Sequence, residues 1–155
     1  MKKTIAEYLP DHPFFAPLRP EVIDLFAGCA TNVHFEPGQA LFHEGDAADH
    51  FFLIRKGRVS ISTHSPGLGG VVMDTVDAGG VVGWSWLVPP YRWMFDARAV
   101  QGTSAVVFDA TCLRSKCDSD PAVGYALLQQ VNKVMFTRLE ATRMRLLDLY
   151  GVAVP

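Results

Sequence analysis

Short apolar runs separated by glycine-containing turns fill residues 31–109 of this 155-residue chain. The runs are three to five residues long, which is too short for ordinary helices, and some of them alternate apolar with polar side chains. Many short strands with no long helix among them indicate a β-sandwich or a jelly-roll barrel. The predicted strands are residues 32–35, 40–42, 51–54, 59–62, 71–73, 98–100 and 104–108, and the predicted turns are residues 37–38, 44–46, 56–57, 65–70 and 77–80.

Helical patterns lie on both sides of this β zone. Residues 20–30 predict a short amphipathic helix, with Pro20 in its first turn. Just upstream, Phe14 and Phe15 lie in a proline-broken segment that we expect to pack onto the body of the domain. The predicted fold class is α+β and mainly β. We expect one domain over residues 1–155, with an N-terminal helical segment (1–30), a double-stranded β-helix or jelly-roll barrel (31–110) and a C-terminal helix (119–150).

The C-terminal helix is long and has two apolar rows. Asp120-Pro121 is a typical helix start and Tyr150-Gly151 a typical end, so the helix spans about 45 Å. We expect one row to pack on the barrel and the other on the same helix of a second copy, giving a homodimer. The alternative is that the second row packs on the chain's own N-terminal helix. The rows are Leu128, Val131, Met135, Leu139, Leu146 and Leu149, and Leu127, Val134, Ala141 and Met144. Arg138, Thr142 and Arg145 interrupt the heptad pattern of these rows.

Composition excludes several classes of protein. The chain is 49% hydrophobic, which is typical of a folded domain, and its net charge of −2 with a pI near 6.2 provides no basic surface for nucleic acid or an anionic membrane. The N-terminus has no uninterrupted apolar core of a signal peptide, and no run of about 18 apolar residues predicts a membrane span. We therefore expect a cytoplasmic protein that does not contact a membrane.

Three cysteines are an odd number and too few for a disulfide framework, so we expect reduced thiols. Cys112 and Cys117 are close in sequence, and Arg114 and Lys116 between them keep a redox-sensor interpretation open, because a nearby cation lowers the pKa of a thiol. The five histidines are scattered, and we expect solvated or hydrogen-bonded surface roles for them. The pattern predicts no metal site and no resident cofactor.

Residues 83–99 carry the strongest sign of a binding site. The segment contains all three tryptophans of the chain together with Arg92 and Arg98. Guanidinium groups and a helix start attract an anion, and indole faces suit a flat ring. The predicted ligand, if one binds, is a small anionic or nucleotide-like molecule. The candidate ligand-binding residues are Gly83, Trp84, Ser85, Trp86, Arg92, Trp93 and Arg98.

Residues 35–59 resemble the opening strands of the cyclic nucleotide-binding domain of Crp/Fnr-type regulators. The resemblance rests on Pro37-Gly38, Gly45-Asp46 and Gly57 at their spacing between apolar runs. In that family a phosphate-binding cassette begins with Gly-Glu-x-Ala/Gly-Leu and is followed by Arg-Ser/Thr-Ala and then a Val-Arg-Ala strand. Residues 83–87 match the start and Ala97-Arg98-Ala99 matches the end.

The cassette departs from the family at the two residues that hold the nucleotide. The resemblance implies that a Glu binds the ribose hydroxyl and an Arg pairs with the cyclic phosphate. Trp84 stands at the position of the Glu and Trp93 at the position of the Arg, with Arg92 one residue earlier. An indole offers one N–H donor and no charge, so neither tryptophan replaces the lost contact. Arg92 takes the place of the phosphate-pairing arginine only if the loop is shifted by one residue.

Three functions remain after these observations. The first is a non-enzymatic sensor whose altered cassette binds a ligand other than cAMP or cGMP. The second is a dimeric interaction scaffold in which the tryptophans fill the former pocket and Asp96 pairs with Arg92 or Arg98; the third is a genuine cAMP or cGMP receptor. Crp/Fnr-type regulators continue into a helix-turn-helix, whereas this chain ends at Pro155, so we expect no direct DNA binding. No catalytic residues are predicted.

Overall fold

The computed structural model describes residues 3–67 and 69–151. The helices are α1 (Ile5–Tyr8), α2 (Pro20–Ala27), α3 (Ala110–Ser119) and α4 (Pro121–Leu149), with single 3₁₀ turns at Leu9–Asp11 and Ser85–Leu87. The strands are β1 (Ala30–Phe35), β2 (Ala40–Phe42), β3 (His50–Lys56), β4 (Arg58–Ser65), β5 (Gly69–Asp77), β6 (Val81–Val82), β7 (Asp96–Ala99) and β8 (Thr103–Asp109). Leu68, in the predicted turn 65–70, lies outside the described residues.

The strands form two antiparallel four-stranded sheets, one in the order β1-β8-β3-β6 and the other in the order β2-β7-β4-β5. Strands β4 and β5 form a hairpin within the second sheet, and the other consecutive strands of the described ranges alternate between the two sheets, which is the crossing pattern of a jelly roll. The predicted fold class is confirmed. Aromatic and branched side chains from both sheets fill the interior, and β3 is buried at four successive positions, Phe51 to Ile54.

The N-terminal segment closes one end of the barrel. Phe14 and Phe15 are buried, and the Phe15 ring stacks on Phe108 of β8 with the centroids 5.5 Å apart. The predicted packing of this segment is therefore confirmed. His12 is also buried: its Nε2 lies 2.7 Å from the Gly79 carbonyl oxygen, and its Nδ1 accepts from the Phe14 N–H at 3.0 Å. The expected surface role is wrong for this histidine, because the segment folds back over it.

Helix α4 begins at the predicted residue and then leaves the body of the domain. The Asp120 side chain accepts from the Ala122 N–H at 3.1 Å and caps the helix, with Pro121 in the first turn. Val123, Leu127 and Val131 are buried, whereas every residue from 141 to 150 is exposed. Val131 therefore faces the body together with Leu127, and the rest of its predicted row is exposed.

The expectation of reduced thiols is wrong for two of the three cysteines. A disulfide joins Cys29 to Cys112, with the Cα atoms 5.8 Å apart. Antiparallel pairing of β1 with β8 explains the contact, because the Asp109 N–H donates to the Cys29 carbonyl and places the start of α3 beside the start of β1. Cys117 is free, and burial raises the pKa of its thiol, with a further contribution from Asp118. Cys112 is bonded to Cys29, so the redox-sensor interpretation left open for Cys112 and Cys117 is wrong as a pair of free thiols.

Two elements, β6 and α3, were not predicted. Strand β6 has only two residues, and α3 buries only Ala110 and Leu113, so neither produces a periodic apolar pattern. None of the helices in the described ranges is long and apolar enough to cross a membrane.

Candidate functional site

The cassette begins with a glycine that has a tryptophan ring against its backbone. Gly83 has φ +90°, and a Cβ on it would lie 2.5 Å from the Trp93 ring. Trp93 stacks on Phe42 with the ring centroids 3.7 Å apart and the planes 9° from parallel, and only 3% of its surface is exposed. Gly83 is therefore needed for both its positive φ and its lack of a side chain, because Trp93 fills the space beside the turn.

The 3₁₀ turn after Gly83 is anchored to the core. Ser85 is buried, and Trp86 is fully buried against Phe51 with an indole Nε1–H that has no acceptor among the described residues. Helix α3 holds the loop in place: the Arg114 guanidinium donates to the Trp86 carbonyl at 2.8 Å and lies 4.6 Å from the centre of the Tyr91 ring. Trp86 therefore has a packing role in the structure.

The two predicted arginines do not converge on one point. Arg92 is exposed, donates to the Gly45 carbonyl at 3.2 Å, and borders a shallow hollow shared with Trp93 and Phe42. Arg98 is exposed on β7 and donates to the Gly38 carbonyl at 2.6 Å. Each guanidinium thus braces a turn between strands, and the predicted anion site between them stays a prediction.

Asp96 has different partners from those expected. It is buried at the start of β7, where Oδ1 accepts from the Glu44 N–H at 2.7 Å and Oδ2 lies 3.3 Å from His64 Nε2. Neither Arg92 nor Arg98 is within ion-pair distance of it in the described part of the chain. The expected internal ion pair is wrong, because Asp96 is buried beside Glu44 and His64, whereas the exposed Arg98 donates to the Gly38 carbonyl.

A groove of about 920 Å³ separates the cassette and the second sheet from α4. Trp84 and Phe95 of the cassette form one wall, and Ile61 of β4 and Met73 of β5 continue it. The opposite wall is helix α4 from Asn132 to Leu149. Trp84 is therefore the one member of the predicted site that lines this groove, and the lining is predominantly apolar.

Residues of α4 were missing from the predicted site. Arg138 reaches from the helix to the cassette: its guanidinium lies 5.0 Å from the centre of the Trp84 ring and donates to the Val81 carbonyl. Arg145 donates to the Met73 carbonyl at 2.6 Å and lies 3.5 Å from the Asp74 carboxylate. The sequence feature that could have indicated these residues is that Arg138 and Arg145 interrupt the apolar rows of the helix.

Comparison with known proteins identifies the family. Residues 32–120, more than half of the chain, match the model of the cyclic nucleotide-binding domain. The chain belongs to the cyclic nucleotide-binding domain family. In this cyclic nucleotide-binding domain, the matched region begins in β1 and ends just after α3, so it contains both sheets and the whole cassette.

Solved structures have the same architecture. A protein from Geobacter metallireducens described as cyclic nucleotide-binding is 27% identical, with a TM-score of 0.79, and the match covers 90% of this chain and 99% of that one. A cyclic nucleotide-binding domain from Methylobacillus flagellatus is 19% identical, with a TM-score of 0.78, over 98% and 84% of the two chains. The N-terminal domain of a transcriptional regulator from Streptomyces coelicolor is 24% identical, with a TM-score of 0.68, over 86% and 93%.

This cyclic nucleotide-binding domain keeps the outline of the cassette and changes its chemistry. Trp84 offers no carboxylate for a ribose hydroxyl, and Trp93 offers no guanidinium for a phosphate. Trp93 is also turned into the core, where it contacts Gly83 and Phe42. The charged side chain nearest to the cassette on the groove side is Arg138, which comes from α4.

Proposed function

We propose that this cyclic nucleotide-binding domain is a non-enzymatic regulatory sensor whose ligand is neither cAMP nor cGMP. The observation that carries the proposal is the packing of Trp93. Its ring fills the space against Gly83 and stacks on Phe42, at the position where the family pattern places the arginine that pairs with the cyclic phosphate. A cyclic nucleotide would lose its charge-assisted hydrogen bonds at this position, and these are the strong ones in anion recognition.

The second change supports the same conclusion. Trp84 replaces the carboxylate that would accept hydrogen bonds from the ribose hydroxyls, and it presents an aromatic surface to the groove instead. Burying sugar hydroxyls against an indole without partners costs free energy. The groove is therefore better suited to an apolar molecule than to a nucleotide.

Thermal denaturation and calorimetry test this function. We expect no change in Tm and no saturable heat with millimolar cAMP or cGMP, and a higher Tm with a member of a metabolite panel. A ligand at 100 times its Kd stabilises the folded state by about 2.7 kcal/mol. Saturable binding of cAMP or cGMP at micromolar concentration would contradict the proposal.

The same assay tests Arg92, a residue of the site predicted from the sequence. If Arg92 pairs with an anionic ligand, Arg92→Ala removes the ligand-induced rise in Tm and leaves the Tm of the free protein close to wild type, because the side chain is exposed. An unchanged response removes Arg92 from the site. Arg98→Ala on β7 applies the same test to the second arginine of the predicted site.

The second candidate function is a dimeric scaffold that acts through a partner protein. It is favoured by the burial of Trp86 and Trp93, which gives both indoles a role in the core. A panel that leaves the Tm unchanged throughout would favour this scaffold over the sensor.

Both candidates include a homodimer through α4. Exposed positions on this helix follow one another at alternating intervals of three and four residues, which is the heptad spacing of a two-stranded coiled coil. An asparagine at one core position is typical of dimers, because two such side chains bond to each other across the seam. The positions are Tyr125, Leu128, Asn132, Met135, Leu139, Thr142, Leu146 and Leu149, and we call them the seam.

A cytoplasmic location and the lack of direct DNA binding stay predictions.

A further inference from the structure

The groove between the cassette and α4 contains one guanidinium without a carboxylate partner. No carboxylate in the described ranges lies within 4.0 Å of the Arg138 nitrogens. One of its N–H groups donates to the Val81 carbonyl, and the flat face lies over Trp84. A guanidinium has five N–H donors, so several remain for a ligand. Burial lowers the pKa of Arg138, whereas the more distant Asp74 carboxylate opposes this change.

The other charges of the groove compensate each other. Among the lining residues only Asp74, Arg138 and Arg145 are charged. Arg145 lies 3.5 Å from Asp74, so the pair is neutral in sum and the groove has a net charge of +1 that belongs to Arg138. A cation in an apolar environment is stabilised by an anion that it can bond. The charge of the groove therefore matches a single negative charge on the ligand.

The remaining surface of the groove defines the body of that ligand. Trp84, Phe95 and Phe136 provide aromatic faces, and Met73 and Met135 provide flexible side chains that adapt to an apolar shape. Hydroxyl-rich molecules lack partners here, since only Asn132 and Thr142 add uncharged polar side chains. The ligand that fits both the charge and the surface is apolar apart from one anionic group.

We propose that this groove binds an organic monocarboxylate with a large apolar body, and that Arg138 pairs with the carboxylate while the Trp84 face contacts the body. The proposal rests on the sensor function above and names the class of its ligand. A planar guanidinium forms two parallel hydrogen bonds with a carboxylate, which selects this group over a neutral one. The anion is thus held by the helix, in place of the arginine that the cassette lacks.

Calorimetry on the full chain tests the proposal with 2-naphthoate and its neutral counterpart 2-naphthamide. We expect the carboxylate to bind at least about tenfold more tightly than the amide, since a hydrogen bond to a charged group contributes that much. Arg138→Met should remove the preference and leave amide binding unchanged. Arg143→Met is the matched control, because Arg143 lies on the same helix, pairs with Glu140 and does not line the groove.

Arg138→Lys provides a second test in case the methionine variant does not fold. It keeps the charge and loses the planar fork, so we expect an intermediate preference for the carboxylate. Equal affinity for the two probes, or a preference that survives Arg138→Met, overturns the proposal. The same holds if neither probe binds until Leu128→Glu, at a seam position outside the groove, separates the copies, because the groove is then filled by the partner helix.

The test also separates this proposal from the function on which it rests. If neither naphthalene probe binds but a member of the metabolite panel that has no carboxylate raises the Tm, the carboxylate assignment is wrong and the sensor function stands. If cAMP binds saturably, the sensor function as proposed is wrong whatever the naphthoate result.

Discussion

His12 is a buried titratable side chain whose neutral form is fixed by its two hydrogen bonds. Nδ1 accepts from the Phe14 N–H, so the proton of the neutral ring is on Nε2 and points to the Gly79 carbonyl. A second proton on Nδ1 would face the Phe14 N–H. Burial lowers the pKa of His12 below its ordinary value of 6.5, and the bond to Gly79 opposes this only in part.

We therefore expect the protein to lose stability in mild acid through His12. Below about pH 6.5 the unfolded chain binds a proton that the folded protein does not, so the free energy of unfolding falls until the pH reaches the lowered pKa of the folded state. Above pH 6.5 this group contributes no pH dependence. Urea denaturation between pH 5 and 8 measures the slope, with His12→Gln as a variant that keeps the donor to Gly79 without titrating. An identical slope in both proteins would show that His12 is not responsible.

The cassette was predicted in part at the level of single residues. The departures at positions 84 and 93 are visible in the sequence, because the matched glycine and the Ala97-Arg98-Ala99 strand fix their places. The direction of the Trp93 indole is not visible, because it depends on Phe42, which belongs to another strand. Arg138 was noticed only as an interruption of a helical row, since its position beside Trp84 depends on how α4 crosses the barrel.

Helix α4 is the element with two separate roles along its length. Its first three turns pack on the domain through Val123, Leu127 and Val131, whereas its last nine residues are exposed. At about 1.5 Å per residue the helix is about 44 Å long, which is far longer than the part that the domain covers. The exposed part needs another surface to cover its leucines.

Leu139→Glu should separate the proposed dimer. Leu139 is a central seam position, and two glutamates facing each other in a desolvated coiled-coil core repel and lose the leucine contact. Ala141→Glu introduces the same charge at an exposed position outside the seam and should leave the dimer intact. Light scattering measures the mass of both variants and the wild type. A monomeric wild type, or a dimeric Leu139→Glu protein, would contradict the seam.

Elements with an apolar run or clear end signals were predictable from the sequence, and elements without a periodic apolar pattern were not. The bounds of α4 follow from Asp120-Pro121, because a cap and a proline act locally on the backbone. Strands β3 and β8 follow from continuous apolar runs. Strand β6 depends on its pairing with β3, which is distant in sequence, and the local signal of α3 is limited to the Asp109 cap at its start.

At the scale of the whole molecule, the disulfide ties the two ends of the barrel sequence together. Cys29 precedes β1 and Cys112 lies in the first turn of α3, 83 residues further along the chain. The bond could not be predicted from cysteine spacing, because the two residues meet only when β1 and β8 pair in the observed register. The count favoured free thiols instead, because three cysteines are an odd number and too few for a disulfide framework.

Removal of this bond should destabilise the protein considerably. Closing a loop of this length lowers the entropy of the unfolded chain and contributes about 4 kcal/mol in the chain-entropy model. We expect Cys29→Ser to lower the free energy of unfolding by up to this amount in oxidising buffer, measured by urea denaturation. The difference from wild type should vanish with a reducing agent, and Cys117→Ser should resemble wild type. Equal stability of the two oxidised proteins would show that the bond does not form in solution.

Six of the eight seam positions also line the groove, from Asn132 to Leu149. An occupant of the groove and a second copy therefore act on the same helical surface, and their equilibria are thermodynamically linked. If the occupant changes the association constant of the two copies by some factor, association changes the affinity for the occupant by the same factor. Such a protein would read its own concentration together with that of the small molecule, because neither quantity alone determines the fraction of filled grooves.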